Sequence, residues 1–362
     1  MKRIFISTVA VVSFLASNVM AQQEGGLYDP MLTMYQFQPL NINPAYTGNS
    51  DSKWRIATVY REQAYVPHRP FRTTSGSFDM NAPINAWSGN IWGFGLSVVN
   101  DDQGDALLRD TKVLGNFSIG QYLDPRLQHS ISIGFQGGVA SRGIDYSEAY
   151  WDRQWVGEGF DPKVATGEPL LPDVRNYFDL STGAQYTYYS GDLMELYTGV
   201  SVYHVNRPDV SLYGDTANTN LSRRINVHAD FVHRLRPNSM FAIKPSFLYS
   251  RQARRANLRV GTAFQFLFNE GTRTTGKRSE SSISMGLYGR MATPPMGSVF
   301  DVMGMLSMEF AGFNFGAGYD VPLGSFNTVN GYEGAFEFML SYRAGYRRGL
   351  FSKYSPKKKG RL

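Results

Sequence analysis

The chain has 362 residues, 42% hydrophobic and only 18% charged, with 37 Gly, 24 Phe, 22 Tyr and no Cys. The absence of Cys removes disulfide scaffolds, Cys-ligated zinc and thiol nucleophiles, and a mean hydropathy of -0.30 argues against a bundle of membrane helices. The net charge of +6 is terminal: without Lys2, Arg3 and the eight cations from Arg343 to Arg361, residues 4–342 carry 26 cations against 30 carboxylates, which excludes a basic nucleic-acid-binding body.

Residues 1–21 read as a signal peptide. Lys2 and Arg3 form the positive start, Ile4 to Ala16 the apolar core, and Val19-Met20-Ala21 the small-residue cleavage site. The apolar run is too short for a spanning helix of about 20 residues. Residues 22–52 form an N-terminal plug segment. Tyr35, Phe37, Leu40, Ile42 and Tyr46 are too many large apolar groups to leave in water, at roughly 1.5–3 kcal/mol per fully buried aliphatic or Phe side chain. Asn41 and Asn43 alternate with them, and Pro39 and Pro44 forbid a continuous helix. The expectation is an extended segment packed into the periplasmic mouth of the barrel or its lumen.

Residues 53–343 alternate apolar with small or polar side chains. Ile131, Ile133, Phe135 and Val139 oppose Ser130, Ser132, Gly134, Gln136 and Gly138, and Phe336, Phe338, Leu340 and Tyr342 oppose Glu337, Met339 and Ser341. Period two puts one set on each face of a sheet. Fourteen such segments are expected, near 53–62, 70–80, 91–101, 109–121, 128–142, 175–189, 193–205, 222–235, 238–249, 254–268, 280–291, 298–309, 312–321 and 332–343. Their length suits tilted membrane strands of about 9–11 residues better than soluble strands of about 5–6. The fold class is therefore all-β, a transmembrane antiparallel barrel of about 14 strands behind a signal peptide.

Tight joins at Leu123-Asp124-Pro125-Arg126, Ser190-Gly191-Asp192, Arg236-Pro237-Asn238 and Ala311-Gly312 follow even strands. The longest gaps, 143–174 and 206–221, follow odd ones, as periplasmic turns and extracellular loops do. Within 222–235, Asn226, His228, Asp230 and Arg234 share the lumen face. Asn100-Asp101-Asp102 and Asp124-Pro125 read as turn chemistry. There is no HExxH, EF-hand loop or GxSxG, so no catalytic, metal or cofactor site is expected. A rim pairing of His204 with Asp209, or of His68 with Asp101, is the weakest of the readings weighed.

Residues 28–48, YDPMLTMYQFQPLNINPAYTG, resemble the opening of the PorP/SprF family of Bacteroidetes outer-membrane proteins. Further similar pieces are Tyr60-Arg61, Ser77-Phe78-Asp79, Gly93-Phe94-Gly95-Leu96-Ser97-Val98-Val99-Asn100-Asp101, His204-Val205-Asn206-Arg207-Pro208-Asp209, Leu221-Ser222-Arg223-Arg224, His228-Ala229, Tyr319-Asp320-Val321 and Gly334-Ala335-Phe336-Glu337. The resemblance implies a non-enzymatic barrel of the type IX secretion and gliding machinery. It further implies support for export or surface retention of cargo such as large adhesins. Expected partners are outer-membrane lipid, type IX or gliding components, a secreted surface protein and a periplasmic peptidoglycan-associated protein. A diffusion channel or ligand transporter is the alternative for the same architecture.

Two further surfaces are candidates for partner binding. Tyr150, Trp151, Trp155 and Phe160 in the first long loop are of the types enriched in binding hot spots. The tail 344–362, with Arg347, Arg348, Lys357, Lys358 and Lys359, is expected in the periplasm, where it would meet anionic lipid or an acidic partner.

Overall fold

The computed structural model describes residues 28–50, 52–63, 70–85, 90–103, 108–146, 151–167, 174–190, 193–212, 220–236, 239–269, 281–293, 299–323 and 334–346. The signal peptide, His68, Tyr150 and the tail cations Arg347, Arg348, Lys357, Lys358 and Lys359 lie outside them.

Fourteen antiparallel strands close into one barrel. They are β1 (Ser52–Gln63), β2 (Phe71–Asn85), β3 (Asn90–Gln103), β4 (Leu108–Tyr122), β5 (His129–Ile144), β6 (Val174–Ser190), β7 (Met194–Tyr203), β8 (Arg224–Arg234), β9 (Phe241–Gln252), β10 (Arg255–Asn269), β11 (Ser281–Thr293), β12 (Val299–Phe310), β13 (Phe313–Pro322) and β14 (Ala335–Tyr346). Each pairs with its sequence neighbour, and β1 closes on β14 from Ser52↔Tyr346 to Gln63↔Ala335. Both ends of the barrel chain therefore lie at the same rim.

The alternation read from the sequence is the alternation seen. Ile131, Ile133, Phe135 and Val139 point outward, while Ser130, Ser132 and Gln136 are buried on the lumen side. On β8, Ile225 and Val227 face out and Asn226 and His228 face in. An outward apolar belt with a polar interior is the arrangement a bilayer demands of a barrel. Among the described residues no helix is long and apolar enough to cross a membrane; the strands cross it.

Two details differ from the expectation. β2 continues through Pro83 to Asn85, with a register shift between those two residues where proline cannot donate to the ladder. The triplet Asn100-Asp101-Asp102 lies inside β3 and not in a turn: Asp101 faces the lumen and accepts from Thr73 Oγ1 at 2.6 Å. Asp124 does form the β4–β5 turn, accepting from the Gln128 and His129 amides at 2.8 Å each. Those bonds outweigh its desolvation and hold the carboxyl below its usual range. Ala311 and Gly312, with φ of 51° and 89°, make the two-residue β12–β13 hairpin, which needs two positive φ values. The tight β4–β5, β6–β7 and β12–β13 joins lie at the rim holding Ser52; the longest stretches, after β5 and β7, lie at the other, together with the two-residue β9–β10 turn. These are the short-turn rim and the long-loop rim.

Candidate functional site

The lumen holds residues 28–50. They run from the long-loop rim, where Asp29 meets the ends of β4, β8 and β9, to the short-turn rim, where β1 begins. The segment is not extended. It folds into three short 3-10 turns, Tyr35–Phe37, Pro39–Asn41 and Pro44–Tyr46. Pro39 and Pro44 open the second and third turns, where a missing N–H costs nothing. Asn43 Oδ1 caps the third by accepting from Ala45 N at 2.9 Å. The prolines thus set tight turns as well as forbidding a long helix.

Of the residues expected to anchor this segment, Tyr35, Leu40, Ile42, Asn43, Pro44 and Tyr46 are buried, while Phe37 and Asn41 are half-buried. Leu32, Met34 and Phe37 pack on Val59, Ala263, Tyr288, Met303, Met305 and Met339 of the wall. Tyr35 and Ile42 pack on Leu248. On the opposite wall glycines admit the plug: a Cβ on Gly134 would collide with the Pro44–Ala45 backbone, and one on Gly199 with the Asn43 amide.

Three polar clusters hold the plug. At the long-loop rim Asp29 accepts from Lys112 Nζ at 2.6 Å, His204 Nε2 at 2.5 Å and Arg224 Nη1 at 3.2 Å. Burial would raise the Asp29 carboxyl, but His204, Lys112 and Arg224 hold it well below its usual range. His204 Nδ1 meets Asp179 at 2.9 Å, so both ring nitrogens face carboxylates that can only accept. Burial opposes protonation, yet Asp29 and Asp179 raise the imidazole above its ordinary value. His204 takes a left-handed φ of 56° just past β7, a conformation that turns its ring inward. The imagined pairing with Asp209 is thereby corrected: Asp209 pairs with Arg175 at 2.9 Å, while Asp29 and Asp179 take the histidine.

In the second cluster the fully buried Glu337 accepts from the Thr33 and Met34 amides at 2.6 Å each and from Arg61 Nη1 at 2.5 Å. Arg61 Nη1 also meets Asp320 at 2.7 Å, and Arg259 Nη1 donates to Thr33 O at 2.8 Å. In the third, Asn43 Nδ2 reaches Ala184 O at 3.0 Å and His228 Nε2 at 3.1 Å. Tyr46 OH donates to Asp230 at 2.8 Å and lies 3.2 Å from His228 Nδ1. Those partners assign the neutral Nδ1–H tautomer of His228. Burial and Asp230 together push the Tyr35 and Tyr46 hydroxyls well above the usual tyrosine range.

The plug leaves one side of the lumen open. A cavity of about 340 Å³ lies towards the short-turn rim, lined by Tyr35, Phe37, Lys244, Ala263 and Met305 among others. Among the described residues no group of His, Asp and Glu is placed to hold a metal ion.

The long-loop rim carries the aromatic candidates. Trp155 and Phe160 are exposed, bridge each other, and stack edge-on at 5.1 Å. Trp151 packs on Tyr146 at 6.1 Å. The second long loop turns inward in part, burying Val210 and Leu221 against Ala140 and Tyr177. Composition does not separate a loop that displays its apolar groups from one that seats them in the mouth.

The family described as type IX secretion system membrane protein PorP/SprF matches residues 24–342, nearly the whole chain. The protein belongs to the PorP/SprF family. It is an outer-membrane β-barrel of that secretion system. Of the wall residues that grip the plug, Arg61, Asp79 (which accepts from Gly48 N at 3.0 Å), His204, Arg224, His228, Asp320 and Glu337 lie in the pieces that carry the PorP/SprF resemblance, while Lys112, Asp230 and Arg259 do not. No curated protein matches the chain in sequence. In fold it is similar to a Pseudomonas aeruginosa FadL homologue, at 12% identity, covering 90% of this chain and 97% of that one with a TM-score of 0.50. The CymD monoaromatic hydrocarbon channel aligns over 86% of this chain and 94% of its own at 10% identity and a TM-score of 0.49. At such identity the likeness describes the barrel alone.

Proposed function

We propose that this PorP/SprF protein is a non-enzymatic, plugged barrel that supports export or surface retention of type IX cargo such as large adhesins. It needs no cofactor, and it works with gliding components, a secreted surface protein and a periplasmic peptidoglycan-associated partner. The observation that carries this reading is the occupied lumen. Residues 28–50 are held by buried ion pairs from Asp29 to Lys112, His204 and Arg224 and by the Thr33 and Met34 amides on buried Glu337, an arrangement suited to a scaffold and ill suited to free diffusion. Short turns mark the periplasmic side of bacterial barrels and long loops the outer side. On that rule the Trp151, Trp155 and Phe160 rim faces outward towards cargo, and the basic tail 344–362 lies in the periplasm beside anionic lipid or an acidic partner.

Affinity purification from outer membranes tests this. The intact protein is expected to co-elute with secretion components and a secreted surface protein, and Trp155→Ala with Phe160→Ala to lose the surface protein while the barrel still inserts. Deleting residues 347–362 is expected to remove the periplasmic partner. A steady conductance with a defined solute preference in the intact protein would instead favour a diffusion channel.

A further inference from the structure

The cavity beside the plug exists because the wall there is built of small side chains. Ala263, Ser282, Ser284, Ser307 and Ser341, from β10, β11, β12 and β14, face the lumen on the side that the plug leaves unfilled. The cavity reaches the short-turn rim: Glu195, Arg234, Leu267, Ser282, Glu309 and Asn314 line it within two residues of their strand ends there. Short turns mark the periplasmic side of bacterial barrels, so an occupant would come from the periplasm.

Three observations set the chemistry of that occupant. The first is charge. Lys244 lines the cavity from β9, in register with Ala263, and among the described residues it has no hydrogen-bond or ion-pair partner. The charged groups that act on it from a distance are Glu309, Arg343, Glu195 and Arg234. Both carboxylates are engaged elsewhere, Glu309 by Arg343 and Glu195 by the Tyr197 hydroxyl at 3.2 Å. The five groups sum to +1, so one negative charge beside Lys244 neutralises the set. A cation drawn out of bulk water favours such a counter-ion.

The second is a missing donor. Gln36 of the plug donates from Nε2 to Ser246 Oγ at 3.0 Å, and its Oε1 is buried with no partner among the described residues. Ser246 is the next lumen-facing residue after Lys244 on β9, roughly 7 Å along the strand. Buried acceptors are ordinarily paired, so this oxygen calls for an N–H beside the charge at Lys244. The third is apolar surface, supplied by Phe37, Leu267, Tyr288 and Met305. The volume of about 340 Å³ falls within the roughly 300–1,000 Å³ of small-molecule sites and is too small for a folded domain. A carboxylate, an adjacent N–H and an apolar side chain together describe the end of a peptide; a fatty acid would leave the Gln36 oxygen unanswered. We propose that the lumen cavity binds a short periplasmic peptide by its free C-terminal end, with the carboxylate on Lys244, the last amide N–H on Gln36 Oε1 and an apolar last side chain against Leu267 and Met305.

Calorimetric titration of the full-length protein in phospholipid nanodiscs tests this, with N-acetylated alanyl-alanyl-leucine as the probe. The free acid is expected to bind saturably, and its C-terminal amide about tenfold more weakly, because a charged hydrogen bond is lost. An ester in place of the last peptide link removes the N–H and is expected to cost about tenfold as well. Lys244→Gln is expected to bring the acid to the affinity of the amide while leaving the amide's own affinity unchanged. Ser284→Phe fills the cavity and is expected to weaken acid and amide alike. Heat-modifiable migration confirms insertion of each variant. Equal affinity for acid and amide overturns the proposal, and so does the absence of saturable binding. Acid binding that Lys244→Gln leaves unchanged also overturns it, because the peptide would then be held elsewhere. A fatty acid of similar length that binds as tightly as the peptide acid would replace the peptide with a simple amphiphile.

Discussion

Replacing Glu337 by Gln keeps the side chain's shape and removes its charge at the point where wall and plug are most tightly joined. The carboxylate accepts from Thr33 N, Met34 N and Arg61 Nη1, all within 2.6 Å, and is fully buried. An amide offers one accepting oxygen and one donating nitrogen, so one of the two plug amides, or Arg61, would face a donor. Arg61 keeps Asp320, which limits the damage to the wall. Breaking a buried pair by removing one partner costs about 3–5 kcal/mol, and each 1.4 kcal/mol is a factor of ten in population. The displaced-plug state should therefore rise about a hundredfold or more. Single-channel recording in planar bilayers reads this directly: rare openings in the native protein and frequent ones in Glu337→Gln, with heat-modifiable migration unchanged. Equal open probability in the two proteins would refute the assignment of Glu337 as an anchor.

Gly134→Ala should displace residues 44–50, because the new Cβ meets plug backbone, and protease cleavage within 28–50 should accelerate; Gly76→Ala, with nothing within 4 Å of its Cβ, should leave cleavage unchanged. The Asp29–His204 anchor should depend on pH in two directions. Raised His204 contributes fully below about pH 6.5, its ordinary value, and loses that contribution as pH rises through its raised value; depressed Asp29 contributes fully above about pH 3.9 and loses as pH falls from there. Openings should be rarest between those limits and increase on the alkaline side, and His204→Gln should abolish the alkaline increase. An epitope inserted beside Gly157 should be detected on intact cells; detection only after permeabilisation would invert the orientation of both rims.

The barrel was legible because period two is enforced along every strand by lipid on one side and a polar lumen on the other. Ser130 to Val139 already displays both faces in one segment, and the fourteen segments coincide with the fourteen strands to within a few residues. Strand ends were less legible: the second segment is expected to end near 80, yet β2 runs on through Pro83 to Asn85, where the register shifts. The buried character of the plug could be read from its aromatic and aliphatic content, but not its 3-10 turns, whose geometry comes from Pro39, Pro44 and the Asn43 cap together. The anchors were least legible. Lys112, Asp179, Arg61 and Glu337 are charges on lumen-facing positions of four different strands, each isolated in sequence from the group it pairs with. Only closure of the barrel brings Glu337 to Thr33, 304 residues away. The signal available was that isolation itself: a buried charge on a strand needs a partner, and Asp29 in the segment before β1 was the unassigned carboxylate.

The direction in which the plug threads the lumen has a consequence for biogenesis. Its first described residues lie at one rim and its last lead into β1 at the other, so a completed cylinder could receive it only by drawing the chain's N-terminal end through the bore. Assembly is simpler if the last seam to zip is β1 to β14, with the sheet curling around a segment already lying against β4 to β6. Arg61 on β1 and Glu337 on β14 meet only when that seam shuts, and both grip Thr33 at that moment. The bond that completes the wall is thus the bond that locks its contents. Loop-closure cost over so long a span is met once, at the final step, and a chain lacking residues 28–50 should stall as an open, unsealed sheet.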